Sequence, residues 1–153
     1  MDLKNQQKYF EFAKIFIDKV PFNKVLGLEL KQFTTERCEI GFTMKPELIG
    51  NYFKNILHGG VIAATLDAVS GSMAAIGLLE QANDPNDEEF ASRLKNLGTI
   101  DMRIDYLQPG RGEHFIASAR LLRVGKKIAV TRSELHNEKR EIIALGTATF
   151  LVG

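Results

Sequence analysis

The chain is poor in the residues that would mark several broad classes of protein. Of its 153 residues only Cys38 is a cysteine, so no internal disulfide can form, which is consistent with a reducing, cytoplasmic location. The net charge of +1 gives no general attraction to nucleic acid or anionic membranes, so any basic binding patch must be local. No second His or Cys lies at metal-ligand spacing from His114 or His136, which we expect at the surface. We therefore expect neither a metal site nor a cofactor.

Segments that would direct export or form a further domain are also missing. Residues 1–20 mix acidic and basic side chains and lack the basic-then-apolar order of a signal peptide. Without repeats, low-complexity tracts or linkers, we expect one domain over residues 1–153. Residues 61–79 are the one candidate membrane span. Asp67 near their middle would cost about 3 kcal/mol there, so we expect no stable membrane insertion.

The most informative segment is an apolar stretch with a glycine pair at its start. His58-Gly59-Gly60 precede residues 61–79, in which Asp67 is the single charged residue. A lone carboxylate in such surroundings is costly unless something uses or compensates it. A Gly pair before a helix leaves backbone N–H groups open to a ligand. The pattern predicts a central helix over 58–80 that carries a catalytic acid and begins with an anion or carbonyl site.

Hydrophobic periodicity predicts the remaining elements. The first is an amphipathic helix over 1–20 that Pro21 ends, and residues 46–57 look irregular. In a polar insertion over 81–98, Asp84-Pro85 marks a turn, and a short exposed helix runs from an Asn86 N-cap towards a C-terminal Gly98. Alternation predicts strands, with Cys38 on the core face, at 26–34, 37–44, 99–107, 114–124, 127–136 and 141–152. This order indicates an α+β fold, an antiparallel sheet wrapped around one long apolar helix.

Four motifs carry a family resemblance that extends over most of the chain. They are Ile56-Leu57-His58-Gly59-Gly60-Val61, Leu66-Asp67, Tyr106-Leu107-Gln108-Pro109-Gly110 and Leu122-Arg123-Val124-Gly125-Lys126-Lys127. With them the chain resembles hotdog-fold acyl-CoA thioesterases of the phenylacetyl-CoA thioesterase-like branch. Over its whole length it is similar to a bacterial group of medium- and long-chain acyl-CoA thioesterases. The resemblance implies hydrolysis of acyl-CoA thioesters to free fatty acid and coenzyme A.

The resemblance also implies roles for particular residues. Asp67 acts as general base or as direct nucleophile, and the Gly59 amide polarises the thioester carbonyl. His58 lies beside that carbonyl, and Gly60 is expected to contact the substrate as well.

Further substrate contacts are expected outside the central helix. Thr99 matches a position where relatives often carry a hydroxyl that places the water. Relatives often have an asparagine where this chain has Tyr52, so the neighbouring Asn51 is the candidate for that role. Coenzyme A needs cations for its phosphates. The candidates, which otherwise are solvated turn residues, are Arg111, Arg123 and Lys126.

The spacing of Gly59 and Asp67 argues for a dimer. Eight residues of helix separate their Cα atoms by about 12 Å along the axis, whereas a base or nucleophile must come within about 3 Å of its target, or one water further. Two helices from two subunits can satisfy both requirements. We therefore expect a homodimer, and a dimer of dimers beyond it. Close helix approach would use the small residues Ala63, Ala64, Ala68, Ser70 and Gly71.

Two other functions remain open at the level of sequence. A hotdog dehydratase acting on a 3-hydroxyacyl thioester would want a His and an acid at the β-hydroxyl, and Asp67 stands where a Glu is expected. A non-catalytic acyl-CoA-binding or sensor protein would bind the same ligand without turnover. The acyl chain length, and coenzyme A as opposed to acyl carrier protein, also remain open.

Overall fold

The computed structural model describes residues 3–82 and 88–153. Helices occupy the first part and the middle of the chain, and four long strands complete it. The helices are α1 (Leu3–Lys19), α2 (Pro21–Leu26), α3 (Gly59–Gln81) and α4 (Glu88–Lys95), with a 3-10 turn at Pro46–Leu48. The strands are β1 (Glu29–Phe33), β2 (Cys38–Thr43), β3 (Ile49–Asn51), β4 (Ile56–Leu57), β5 (Gly98–Tyr106), β6 (His114–Val124), β7 (Ile128–Asn137) and β8 (Ile142–Leu151).

Six strands form one antiparallel sheet, and β3 and β4 form a separate small hairpin. The sheet order is β1-β2-β6-β7-β8-β5, so β1 and β5 are its edges. Alternate residues of each strand point to one face, and on the inner face Ile40, Phe115 and Leu135 are fully buried. That face packs against α3. The predicted α+β architecture, an antiparallel sheet around one long helix, is confirmed.

Helix α3 is the core helix. It is the one helix among the described residues that is long and apolar enough to cross a membrane, yet 67% of its most apolar window is buried inside the protein. Gly77 lets it approach the sheet closely, because a Cβ there would lie 2.9 Å from Leu121 Cδ2 and 3.2 Å from Val124 Cβ. The apolarity of α3 therefore reflects enclosure by the sheet.

The interpretation of Pro21 was incomplete, because this residue also begins α2. Proline suits the first helical position, where its missing N–H needs no partner. The helix ends at Gly27, whose φ of 74° is the left-handed C-cap conformation, and the Leu28 N–H donates to the Asn23 carbonyl at 3.0 Å. The strand expected from residue 26 consequently begins only at Glu29.

Two other segments differ from expectation. Residues 46–57 hold a 3-10 turn and the β3–β4 hairpin rather than irregular chain. Helix α4 is anchored, because Phe90 is buried with its ring 6.1 Å from that of Phe12, and Arg93 Nε donates to the Val152 carbonyl at 2.9 Å. Gly98 begins β5 instead of ending the helix. The predicted Asp84-Pro85 turn and Asn86 cap lie outside the described residues.

Cys38 is expected to be inert in the folded protein. Burial, with a smaller effect of the Glu39 charge, raises the pKa of its thiol to about 12 from 9.0. At pH 8 an aromatic disulfide reagent should modify less than about a tenth of native protein over minutes, but all of it in guanidinium, because only the thiolate reacts. Because this thiol ionises less readily in the folded protein than in the unfolded chain, its contribution to the free energy of unfolding is fully present below pH 9 and is lost as the pH rises towards 12. Rapid native labelling at pH 8 would contradict the prediction.

Candidate active site

Asp67 lies on α3 where the helix meets the start of β5. Thr99 Oγ1 donates a hydrogen bond of 2.8 Å to Asp67 Oδ1. The other carboxylate oxygen has no hydrogen-bond partner in the part of the chain that the structure describes. The carboxylate is half-buried, and both side chains line a cavity of about 300 Å³. Asp67 is thus oriented through one oxygen and open to solvent or substrate through the other.

The two N-terminal helices form one wall of this cavity. The cavity is lined by Phe16 of α1, by Val20 just before α2 and by Phe22 of α2, and on the α3 side by Ala68 and Gly71. The contribution of α2 was not predicted. The Pro21 that begins this helix was the available signal, because proline is enriched at the first helical position.

The start of α3 forms a second group. His58 is the N-cap residue, with φ −65° and ψ 135°, and its Nδ1 accepts a 2.8 Å hydrogen bond from the Gly60 N–H. Tyr106 Oη donates to the Gly59 carbonyl at 3.0 Å. The peptide group between Gly59 and Gly60 is therefore held at both ends. The Gly59 N–H itself has no acceptor within residues 3–82 and 88–153.

The cap bond also determines which His58 nitrogen carries the proton. Nδ1 accepts from the Gly60 N–H and so must be unprotonated, which places the proton of the neutral ring on Nε2. The His58 side chain is exposed. It can therefore offer Nε2–H as a second donor next to the Gly59 N–H. Two donors at a helix N-terminus suit a carbonyl oxygen that gains negative charge.

The β3–β4 hairpin positions His58. The His58 N–H donates to the Leu48 carbonyl at 2.9 Å, and a Cβ at Gly50 would lie only 2.5 Å from His58 Cα. This close approach requires glycine at position 50, and local sequence patterns carried no signal for it.

Asn51 Oδ1 accepts from the Lys54 N–H at 3.2 Å and so closes the hairpin turn. Contact of Asn51 with substrate stays a prediction.

The three candidate cations are not brought together. Arg111 Nη1 donates to the Lys54 carbonyl at 3.1 Å, beside the hairpin that precedes Gly59. Arg123 and Lys126 lie near the other end of β6, on the order of 35 Å away by strand rise. Within one chain, Arg111 lies near the Gly59 end of the sheet, whereas Arg123 and Lys126 lie at the opposite end, where β5 begins with Gly98 and Thr99.

Asp67 and Gly59 lie in two separate concavities of the chain, which are the two candidate half-sites. The cavity beside Asp67 shares no lining residue with the concavity of about 370 Å³ beside Gly59 and Tyr106. Among the described residues, no group of three or more His, Cys, Asp and Glu side chains is arranged to hold a metal ion. The two candidate half-sites offer a carboxylate on one side and backbone and imidazole donors on the other.

Comparison with known proteins identifies the family. Residues 54–144 match the family model of the Thioesterase superfamily, which is more than half of the chain. The chain belongs to the thioesterase superfamily. Asp67, Gly59 and Thr99 all lie within the matched residues.

Individual superfamily members are similar over nearly the whole length. The medium/long-chain acyl-CoA thioesterase YigI of Escherichia coli K12 is 45% identical over 141 residues, covering 92% of this chain and 91% of YigI. A crystal structure from Shewanella oneidensis, of a protein related to the thioesterase superfamily, is 46% identical with a TM-score of 0.90, covering 97% and 98% of the two chains. Mouse thioesterase superfamily member 2, at 22% identity and a TM-score of 0.71, covers all of both chains and shares the fold. The expected hotdog fold is confirmed.

Proposed function

We propose that this protein hydrolyses acyl-CoA thioesters, with a preference for medium to long acyl chains, to free fatty acid and coenzyme A in the cytoplasm. The observation that carries the proposal is the Asp67–Thr99 pair, a carboxylate oriented by a hydroxyl at the edge of a largely apolar cavity. Membership of the thioesterase superfamily and the 45% identity to a medium/long-chain acyl-CoA thioesterase support it.

The reaction uses the two half-sites together. The free Asp67 oxygen either takes a proton from a water that attacks the thioester carbon or attacks that carbon itself. The Gly59 N–H and the His58 Nε2–H donate to the oxyanion that forms. Collapse of the intermediate breaks the C–S bond, and coenzyme A leaves as a thiolate that takes up a proton. In the nucleophilic route, water then hydrolyses the resulting anhydride and restores Asp67.

A homodimer that pairs β5 with its copy would join the half-sites. Strand β5 is a sheet edge with no partner on its outer side in the described chain. Its first residues include Thr99, which bonds Asp67, and its last residue is Tyr106, which bonds Gly59. In an antiparallel pairing the start of one strand meets the end of the other. Each Asp67 would then approach the Gly59 of the partner subunit.

The surface around this edge suits such a contact. Ile100 and Tyr106 are more than half exposed, at 55% and 54%, although both are large and apolar in part. Exposed apolar edge strands favour pairing with another chain. On α3 the partly exposed small residues are Ala63, Ala64, Ala68 and Gly71. The inclusion of Ser70 among them was wrong, because its side chain is fully buried in its own chain. A dimer of dimers stays a prediction.

Arg111 is the cation that we assign to the coenzyme A phosphates. Its guanidinium lies beside the turn that leads to His58 and Gly59, and it is exposed. Arg123 and Lys126 would serve this site only from another subunit, because the length of β6 separates them from it.

The proposal is tested by release of free thiol from purified wild-type protein and a panel of acyl-CoA esters of increasing chain length. We expect turnover that rises from short to medium and long chains. Hydration of an enoyl thioester without thiol release would favour the dehydratase, and ligand binding without any turnover would favour the sensor. The same panel with acyl carrier protein esters separates the two thiol carriers.

A further inference from the structure

The cavity beside Asp67 offers a ligand few polar groups. Asn23 Nδ2 donates to the Ile17 carbonyl at 3.3 Å, and Ser72 Oγ donates to the Ala68 carbonyl at 2.9 Å. Asn23 Oδ1 has no hydrogen-bond partner in the part of the chain that the structure describes. Apart from this amide oxygen and the Asp67–Thr99 pair, the lining side chains are apolar or already hydrogen-bonded. A polar occupant would therefore leave most of its groups unpaired, which favours hydrocarbon.

We propose that this cavity holds the hydrocarbon end of the acyl group, and that Phe16, Val20, Phe22 and Gly71 determine the chain length accepted. The inference rests on the proposed function and deepens it. The reacting carboxylate and side chains of the N-terminal helix pair line the same cavity. Each buried methylene favours binding about fourfold. Chain length is therefore discriminated by how many methylenes the wall allows to be buried.

Gly71 gives this wall an adjustable position. A Cβ at Gly71 would meet only Phe150, at 3.5 Å from Cε1 and 3.9 Å from Cζ, which is ordinary van der Waals contact. Alanine therefore fits without displacing a neighbour, and a larger side chain must extend into the space between α3 and the N-terminal helices. Gly77 on the same helix differs, because a Cβ there would lie 2.9 Å from Leu121 Cδ2. A larger side chain at position 71 should therefore reduce the volume of the cavity.

The test compares kcat/KM across the acyl-CoA panel for Gly71→Leu and Phe16→Ala. We expect Gly71→Leu to lower the ratio of long-chain to short-chain kcat/KM at least about tenfold, and Phe16→Ala to raise it several-fold, on the basis of the burial per methylene. Gly71→Ala, which the fold accommodates, should shift the ratio in the same direction as Gly71→Leu and replaces it if the leucine variant does not fold. Ile15→Ala is the matched control, because Ile15 adjoins Phe16 but is 50% exposed and outside the cavity.

Binding of a medium-chain fatty acid by calorimetry separates this inference from the proposed function. Folded Gly71 variants with the wild-type length profile and wild-type fatty acid affinity would overturn the inference while leaving the thioesterase proposal intact. Loss of the dimer by Gly71→Leu in size-exclusion chromatography would also overturn the inference, because it would show that a second copy and not the acyl group occupies the cavity. If the wild-type protein binds fatty acid more tightly than Gly71→Leu but hydrolyses nothing, the acyl-binding cavity is supported and the thioesterase proposal is refuted. Protein that neither hydrolyses nor binds would overturn both.

Discussion

Replacing Asp67 by asparagine should lower kcat for thioester hydrolysis by a factor of about 10² to 10⁴, the usual contribution of a positioned general base. The amide has the same size as the carboxylate, and its oxygen can still accept the 2.8 Å hydrogen bond from Thr99. It cannot take a proton from water or attack a carbonyl. Thiol release at saturating acyl-CoA measures the loss, and a KM close to that of the wild type would place the effect on the chemical step.

Glu80→Gln provides the control for charge removal from the same helix. Glu80 is the other carboxylate of α3, exposed near its end and about 20 Å further along the axis from Asp67. Its replacement should leave turnover at the wild-type level. Circular dichroism and size-exclusion chromatography verify that both variants fold and assemble. An Asp67→Asn protein with wild-type turnover would refute the assignment of the base or nucleophile.

Replacing Gly59 by proline should lower kcat by a factor of about 10² to 10³, because it removes one oxyanion donor. Proline is well tolerated at the first position of a helix. The preceding His58 already has φ −65° and ψ 135°, the extended conformation that proline imposes on its neighbour. The new Cβ would meet the Tyr106 ring at 3.5 Å, an ordinary contact. The substitution therefore deletes the N–H with little change to the helix start.

Gly59→Ala isolates the effect of the amide. Alanine places a Cβ at the same point but retains the N–H, so the difference in kcat between the alanine and proline variants measures the donor. Equal activity of the two variants would show that the Gly59 N–H takes no part in the reaction.

Mixing the two inactive variants tests whether the site is shared between subunits. In a heterodimer of Asp67→Asn and Gly59→Pro, one composite site has both defects and the other has neither. Random exchange makes half of the dimers heterodimeric, so we expect recovery of about a quarter of wild-type turnover in a two-fold symmetric assembly. No recovery after refolding the mixture would show that both groups act within one chain.

Much of the fold could be predicted because neighbouring residues encode it. The alternation of Cys38, Ile40 and Phe42 placed β2 with its core face inward, and all three are buried. The apolar run after Gly59 indicated the core helix, which the sheet encloses. Element ends were less predictable. Pro21 was read as the end of a helix; α1 does end before it, at Lys19, but Pro21 also begins α2. Proline suits both positions, so the packing of the following residues decides whether a new helix begins.

The candidate groups of the site could be predicted from the sequence alone: one carboxylate in an apolar helix, a glycine pair at the helix start, and a spacing of about 12 Å that separates them on one helix. Helix rise and hydrophobic period depend on local order alone, so they can be read without coordinates. The three-dimensional fold was needed to show that Thr99 bonds Asp67, that Tyr106 bonds the Gly59 carbonyl, and that α2 lines the cavity. Those contacts join residues far apart in the chain, and their partners are set by how the sheet folds around α3.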